Sequence, residues 1–444
     1  MRRLVASVCE RGAKNGGAVL STLCLDESER THYDTIINAL EGRASTAPVD
    51  SQPSPSEILY GFYLSRGDPA KAAVSMHEYA NRLSEHTIEI ARKPDVTYDE
   101  LVDALARHAS AALSSANALA MVSDPCSVSF ETVVEDEHME GNDDVSSVNV
   151  VSSGLDTKKS PLATVTREYV LSAARLELLH VGCETAMLHV DSEPRKVIQD
   201  LVQSLIAYGC FAAAKTLCTA WLDGEKLTSS LALIAGAMAA RASMAQVGDA
   251  SVLQAEQDAA LKRWNARASD LQAIAGLIGV EAPVTSVDTY WNELRAFVER
   301  FDAMERNFAL SEATARSILA VNAKLALPSW LIKRFVNPTA LFSGGGMARR
   351  GADPAALLRI YLAFNRAEDA AQLALKELSF WAKRSAIDRT AHAACWFPMD
   401  LIFDARDRCA NDDSLQQLCD ALSAAISSHE ARLKTDTQML AQAA

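Results

Sequence analysis

Aromatic residues make up only 6% of the 444-residue chain and runs of β-branched residues are few, so little in it favours sheet. Alanine and leucine stand in their place, and helix is favoured nearly everywhere. The nine cysteines (Cys9, Cys24, Cys126, Cys183, Cys210, Cys218, Cys395, Cys409 and Cys419) include no CxxC pair, which leaves reduced, buried thiols as their reading. No apolar run approaches the about 18 residues of a membrane-spanning helix, and MRRLVASVCERG at the start has no signal-peptide core, which points to cytosol or nucleus. Basic charge is short too: 43 Lys and Arg against 57 Asp and Glu give a net charge of −14, the wrong balance for gripping nucleic-acid phosphates directly.

Catalytic patterns are equally scarce. HExxH, GxSxG and DxDxDG are missing. Ser343-Gly344-Gly345-Gly346, with Arg349 and Arg350 nearby, lacks both the preceding strand and the Gly-Lys-Ser/Thr ending of a phosphate cradle, and reads as a flexible loop. His138 stands among carboxylates on a segment without fixed geometry, and Asn411-Asp412-Asp413 reads as a helix cap. His77, His86, His108, His180, His189, His392 and His429 fall on separate helical patterns with no recoverable partner set. The sequence therefore assigns no catalytic residue, metal, cofactor or small-molecule substrate.

What the chain does contain is helical hairpins. Asp353 caps a helix opened by Pro354, whose missing N–H costs nothing there, and Leu357, Leu358, Tyr361, Leu362 and Phe364 follow along one apolar face. After a break at Asn365-Arg366, a second helix turns Ala370, Ala371, Leu373, Ala374 and Leu378 inward. Small alanines facing a Leu/Tyr ridge let the two helices lie close, near the short end of the roughly 8–10 Å range. Sliding by 298 residues puts Leu59, Tyr63, Leu64, Ala72 and Ala73 on this pattern, and sliding by 156 puts Leu201, Val202, Ile206, Ala214 and Leu217 on it. The offsets are unequal, so the expected fold class is all-α, an irregular α-solenoid of antiparallel hairpins.

Along the chain this predicts N-terminal hairpins over 1–125, with a helix opened by Ser56 and a helical pair between Tyr98 and Met121. A disordered acidic loop follows over 126–160, because Glu131, Glu135, Asp136, Glu137, Glu140, Asp143 and Asp144 come with no basic residue until Lys158. The central solenoid covers 161–337, a glycine-rich loop 338–352, and a C-terminal hairpin with capping helices 353–444. The end of a solenoid leaves an apolar face without a following repeat. Trp396, Phe397, Met399, Phe403, Leu415, Leu418, Leu422 and Ile426 are the candidates for a partner-binding surface there.

Several stretches carry a family resemblance: LPSWLI from Leu327, LLRIYL from Leu357, EDAA from Glu368 and Trp396-Phe397-Pro398. VCERG at Val8, ILYGFYLSRGDPAKAAVSMHEYANRL from Ile58, EYVLSAARLELL from Glu168 and VIQDLVQSLIAYGCFAAAKTLC from Val197 extend it over most of the chain in the same order. Together they resemble the C-terminal helical region of the nucleoporin one-sixty family. The resemblance implies a non-enzymatic scaffold subunit of the Y-shaped outer-ring complex of the nuclear pore, at the nuclear envelope, supporting transport of protein and mRNA. It implies partners of the nucleoporin eighty-five and nucleoporin ninety-six types. The family's β-propeller has no counterpart in this chain, and Met1 falls where relatives are already in mid-solenoid. An α-solenoid adaptor in vesicle coating or tethering shares the hairpin physics but not the Leu-Pro-x-Trp-Leu motif, and an all-α lyase or transferase would need a paired acidic motif that is not visible.

Limited proteolysis is expected to cut first between about residues 127 and 160, and deleting that segment should leave the melting temperature unchanged. A drop of several degrees would reveal a packed element there.

Overall fold

The computed structural model describes residues 30–93, 95–128, 130, 160–183, 194–248, 258, 287–302, 308–336, 353–385 and 399–443. Among the described residues there are α-helices and short 3-10 turns and no strand: an irregular α-solenoid of antiparallel helical hairpins. The chain divides into two compact units, residues 1–222 with 259–282, and residues 223–258 with 283–444.

The first unit contains α1 (Arg30–Thr46), α2 (Pro55–Ser65), α3 (Pro69–Ala91), α4 (Tyr98–Ala120), α5 (Pro161–His180), α6 (Pro194–Ala207) and α7 (Phe211–Trp221). Successive helices from α1 to α5 pack on one another, and α7 packs on both α5 and α6. Leu59, Phe62, Leu83, Leu105, Leu119, Leu178, Leu205 and Leu217 fill the interior. Ser54, two residues earlier than the sequence suggests, caps α2 by accepting the Glu57 N–H, with Pro55 at the first helical position; Ser56 itself is buried. Asp68 caps α3 through the Lys71 N–H after a turn in which Gly67 takes φ 73°, a conformation that favours glycine.

Two expectations change here. The pair predicted between Tyr98 and Met121 is one unbroken helix, started by a capping box of Thr97 and Glu100. Ser115, inside it, is buried and donates its hydroxyl to the Ala73 carbonyl on α3 at 2.8 Å, so tertiary packing satisfies it within the helix. The acidic stretch also begins later than residue 126. Pro125–Ser127 form a 3-10 turn capped by Asp124, Val128 is buried, and Phe130 packs on His77. Residues 131–159 lie outside the described residues, as do 337–352 and Trp396-Phe397-Pro398.

The second unit contains α8 (Gly224–Val247), α9 (Val287–Phe301), α10 (Ala309–Val321), α11 (Ser329–Val336), α12 (Pro354–Ala363), α13 (Ala367–Ser385), α14 (Met399–Ala410) and α15 (Gln416–Ala443). Helix α8 runs along α10 and α9. A side chain at Gly236 would bring its Cβ within 2.8 Å of Ser317 Oγ, so the glycine lets α8 and α10 approach closely. Contrary to the sequence reading, α8 is long and apolar enough by length and composition to cross a membrane. Alanine, glycine and serine dilute its large apolar groups and hide the run from inspection. Half of its most apolar stretch is buried inside the protein, as in a core helix, while Leu233, Met244 and Val247 stay exposed.

A helix leaves its last carbonyls without intrahelical partners. Here arginines from neighbouring elements meet them, and a cation also suits the negative end of the helix dipole. In the first unit Arg82 on α3 donates to the Ala44 and Ala47 carbonyls at the end of α1. Arg167 on α5 donates to Ala220 at the end of α7 at 2.7 Å, and the Trp221 indole returns a bond to the Arg167 carbonyl at 3.1 Å. In the second unit Arg366 reaches Ala323 and Leu325 beyond α10 at 2.8 and 2.6 Å, and Arg408 on α14 reaches Leu362 in the last turn of α12 at 2.5 Å.

Arg334 on α11 makes a further clamp, on a carboxylate shut off from water. Its Nη2 donates to the Asp302 carbonyl just past α9 at 2.9 Å, and its Nε to Ser311 Oγ at 3.0 Å. The Asp302 side chain is wholly buried and accepts the Leu310 and Ser311 N–H groups at 3.2 and 3.1 Å, plus the Ser311 hydroxyl. Phe308, the residue before α10, is left-handed at φ 56° and caps nothing with its side chain, so Asp302 serves as the cap.

Asp302→Ala is expected to lower the unfolding free energy by about 3–5 kcal/mol, because it strands a largely buried arginine. Arg366→Gln should cost about 1.5–3 kcal/mol, the range for hydrogen bonds to charged groups. Urea titration of both variants against wild type is the check.

Candidate functional site

The C-terminal surface is built by α13, α14 and α15, which pack on one another. Ile402, Ala405 and Cys409 form the inward stripe of α14, and Cys419, Leu422, Ile426 and His429 that of α15, at helical spacing. Of the eight candidate residues, Trp396 and Phe397 lie outside the described residues. Leu422 and Ile426, 0% and 4% exposed, fill the core. Met399 and Phe403, one turn apart on α14, are half-buried and reach the surface, as do Leu415, in the 3-10 turn just before α15, and Leu418 in the first turn of α15. The hairpin residues Leu357, Leu358, Tyr361, Leu362, Ala370 and Leu373 are all buried on α12 and α13. Phe380 and Leu433, 39% and 41% exposed, add large apolar groups that the sequence reading left out. Phe380 follows Leu373 by two turns, so periodicity alone places it inward.

Charge rims this patch. The Arg406 guanidinium lies over the Phe403 ring at 5.2 Å and pairs with Asp407 at 2.7 Å, and Arg408 pairs with Asp404 at 3.0 Å. Such surface pairs contribute little energy and chiefly orient the side chains. Bonds from the Ser414 hydroxyl and N–H hold the Asp412 carboxyl below its usual range, and burial pushes Glu377 on α13 up to about 7.

Two polar sites in the first unit were not legible in the sequence. A cavity of about 560 Å³ opens between α3 and α4, with Asp50 lying 3.6 Å from His86 and 3.4 Å from Arg107. The second site is a seam of ionisable groups: His77 Nδ1 lies 3.6 Å from Glu168 Oε2, and His108 Nδ1 lies 3.1 Å from Ser172 Oγ. Burial, and then Arg175, lower His108 to about 4. These partners come from α3, α4 and α5 and meet only through packing, so no sequence spacing signals them. Among the described residues no three His, Cys, Asp or Glu side chains are grouped to hold a metal ion.

The arrangement is that of an α-solenoid protein: packed helical hairpins, with a partly exposed apolar patch on the last of them. No family model matches the chain. It is similar to nuclear pore complex protein NUP160 of Arabidopsis thaliana, 23% identical over 440 residues, a match covering 91% of this chain. The same match covers 27% of that relative, so the chain spans about a quarter of the relative's length.

Core and surface separate by substitution. Leu422→Ala is expected to cost about 2–5 kcal/mol for the cavity it leaves, whereas Leu418→Ser should stay within about 1 kcal/mol of wild type. Thermal unfolding of the two variants reads the difference.

Proposed function

We propose that the chain is a structural scaffold subunit of the nuclear pore complex, acting within the Y-shaped outer-ring complex through protein–protein contacts and without chemistry of its own. The observation that carries this reading is the similarity to NUP160 along 91% of the chain. The all-helical fold supports it, since a solenoid works by presenting firm helical faces. The docking surface we assign is the C-terminal patch, with Met399, Phe403, Leu415 and Leu418 as apolar anchors and Leu422 and Ile426 as the packing beneath them. Its partners are scaffold subunits of the nucleoporin eighty-five and nucleoporin ninety-six types.

The test is capture of these two purified partner types by the purified chain, wild type against Phe403→Glu/Leu418→Glu. Wild type is expected to bind, and the charged variant to lose at least tenfold in affinity at unchanged circular dichroism. Equal binding by both would move the interface away from the C-terminal patch. Failure of wild type to bind either partner would overturn the outer-ring reading.

A further inference from the structure

The seam between α3 and α5 holds two ionisable groups, His77 and a Glu168 whose side chain is 32% exposed. His77 is 7% exposed, and its Nδ1 faces Glu168 Oε2 across 3.6 Å; both atoms are closed to solvent and neither has a hydrogen-bond partner. The gap exceeds a hydrogen bond by about half an ångström, within reach of a small side-chain rotation. On its other edge the imidazole has Nε2 3.4 Å from the Asn81 amide, which serves either tautomer by turning over. The ring packs against Phe130 with centroids 4.1 Å apart. Phe130 immediately precedes the acidic run that opens with Glu131.

We propose that His77 and Glu168 hold one proton between them, forming a pH-sensitive latch that fastens α3 to α5 and seats Phe130 at the base of the acidic segment. With one proton the pair is neutral overall, whichever side carries it. A second proton puts an uncompensated cation against Phe130, and loss of the proton leaves an uncompensated carboxylate in the seam. Burial is the cause that acts on each group, pushing Glu168 up to about 7 and His77 below its usual value.

Around the pair, His108 on α4 and Arg175 on α5 act on one another, Tyr169 follows Glu168 on α5, and α2, packed on α3, carries Glu57, Tyr60 and Tyr63. Asp124 and Cys126 at the 3-10 turn are exposed, and the buried side chains of α6 and α7 are apolar apart from the Cys218 thiol.

The linkage has a definite sign. A carboxyl raised by folding stabilises fully below about 4.5, and that contribution is lost as pH rises through about 7. An imidazole lowered by folding stabilises fully above about 6.5, and that contribution is lost as pH falls. The two contributions run opposite ways with pH: that of Glu168 falls as pH rises toward about 7, and that of His77 falls as pH drops below about 6.5.

The experiment compares urea midpoints of wild type, Glu168→Gln, His77→Gln and the double variant at pH values from about 4 to 8, so that other titrating groups cancel in the differences. Glu168→Gln should gain on wild type as pH rises from about 4.5 to about 7, and His77→Gln should lose on it as pH rises toward about 6.5. The double variant should show neither trend. NMR titration of the wild-type His77 ring, which needs no variant to fold, should move the Phe130 ring at the same midpoint. Variants running parallel to wild type, or a Phe130 ring unmoved by the His77 titration, would each overturn the proposal.

Discussion

A helix that ends inside a packed array cannot leave its last carbonyls bare, and the second unit depends on how that constraint is met. At the α9–α10–α11 corner Asp302 caps α10 from nine residues upstream, and Arg334 neutralises it while holding the carbonyl that ends α9. Three helix ends are joined there by one charge pair whose acidic member is shut off from water. A buried pair of this kind adds little net stability compared with apolar packing, but removing either partner is costly. Its contribution is directional, because the pair bonds particular N–H and carbonyl groups of the three helices.

Arginines elsewhere hold main-chain carbonyls at or near helix ends in the same way, so several helices are oriented by the end of a neighbouring helix as well as by their apolar faces. That division suits a chain rich in alanine. Small side chains allow close packing, seen where α8 and α10 meet at Gly236, but they specify register poorly because one alanine ridge fits another at several offsets. Directional bonds to particular carbonyls remove that freedom.

How much of this could be read beforehand depended on whether the signal was local. The Asp353-Pro354 helix start, the break at Asn365 and the inward faces of α12 and α13 were legible, because capping and periodicity act over a few residues. The unbroken α4 was not, since the hydroxyl of Ser115 finds its acceptor on another helix. Nor was the apolar character of α8, spread thinly over many small residues. On the C-terminal helices composition singled out Leu422, Ile426, Phe403 and Leu418 alike, and only packing separates the first two, which are buried, from the last two. The His77–Glu168 pair and the Arg334 clamp had no local signal, being contacts between helices distant in the chain.

The arginine clamps have an evolutionary corollary. Their acceptors at Ala44, Ala220, Ala323, Leu325 and Leu362 are main-chain oxygens, which every residue type carries. Replacement of the acceptor residue leaves the bond in place, so only the donor side is under selection. A lineage built this way is free to exchange most of its small apolar residues while a handful of arginines keeps the helices in order.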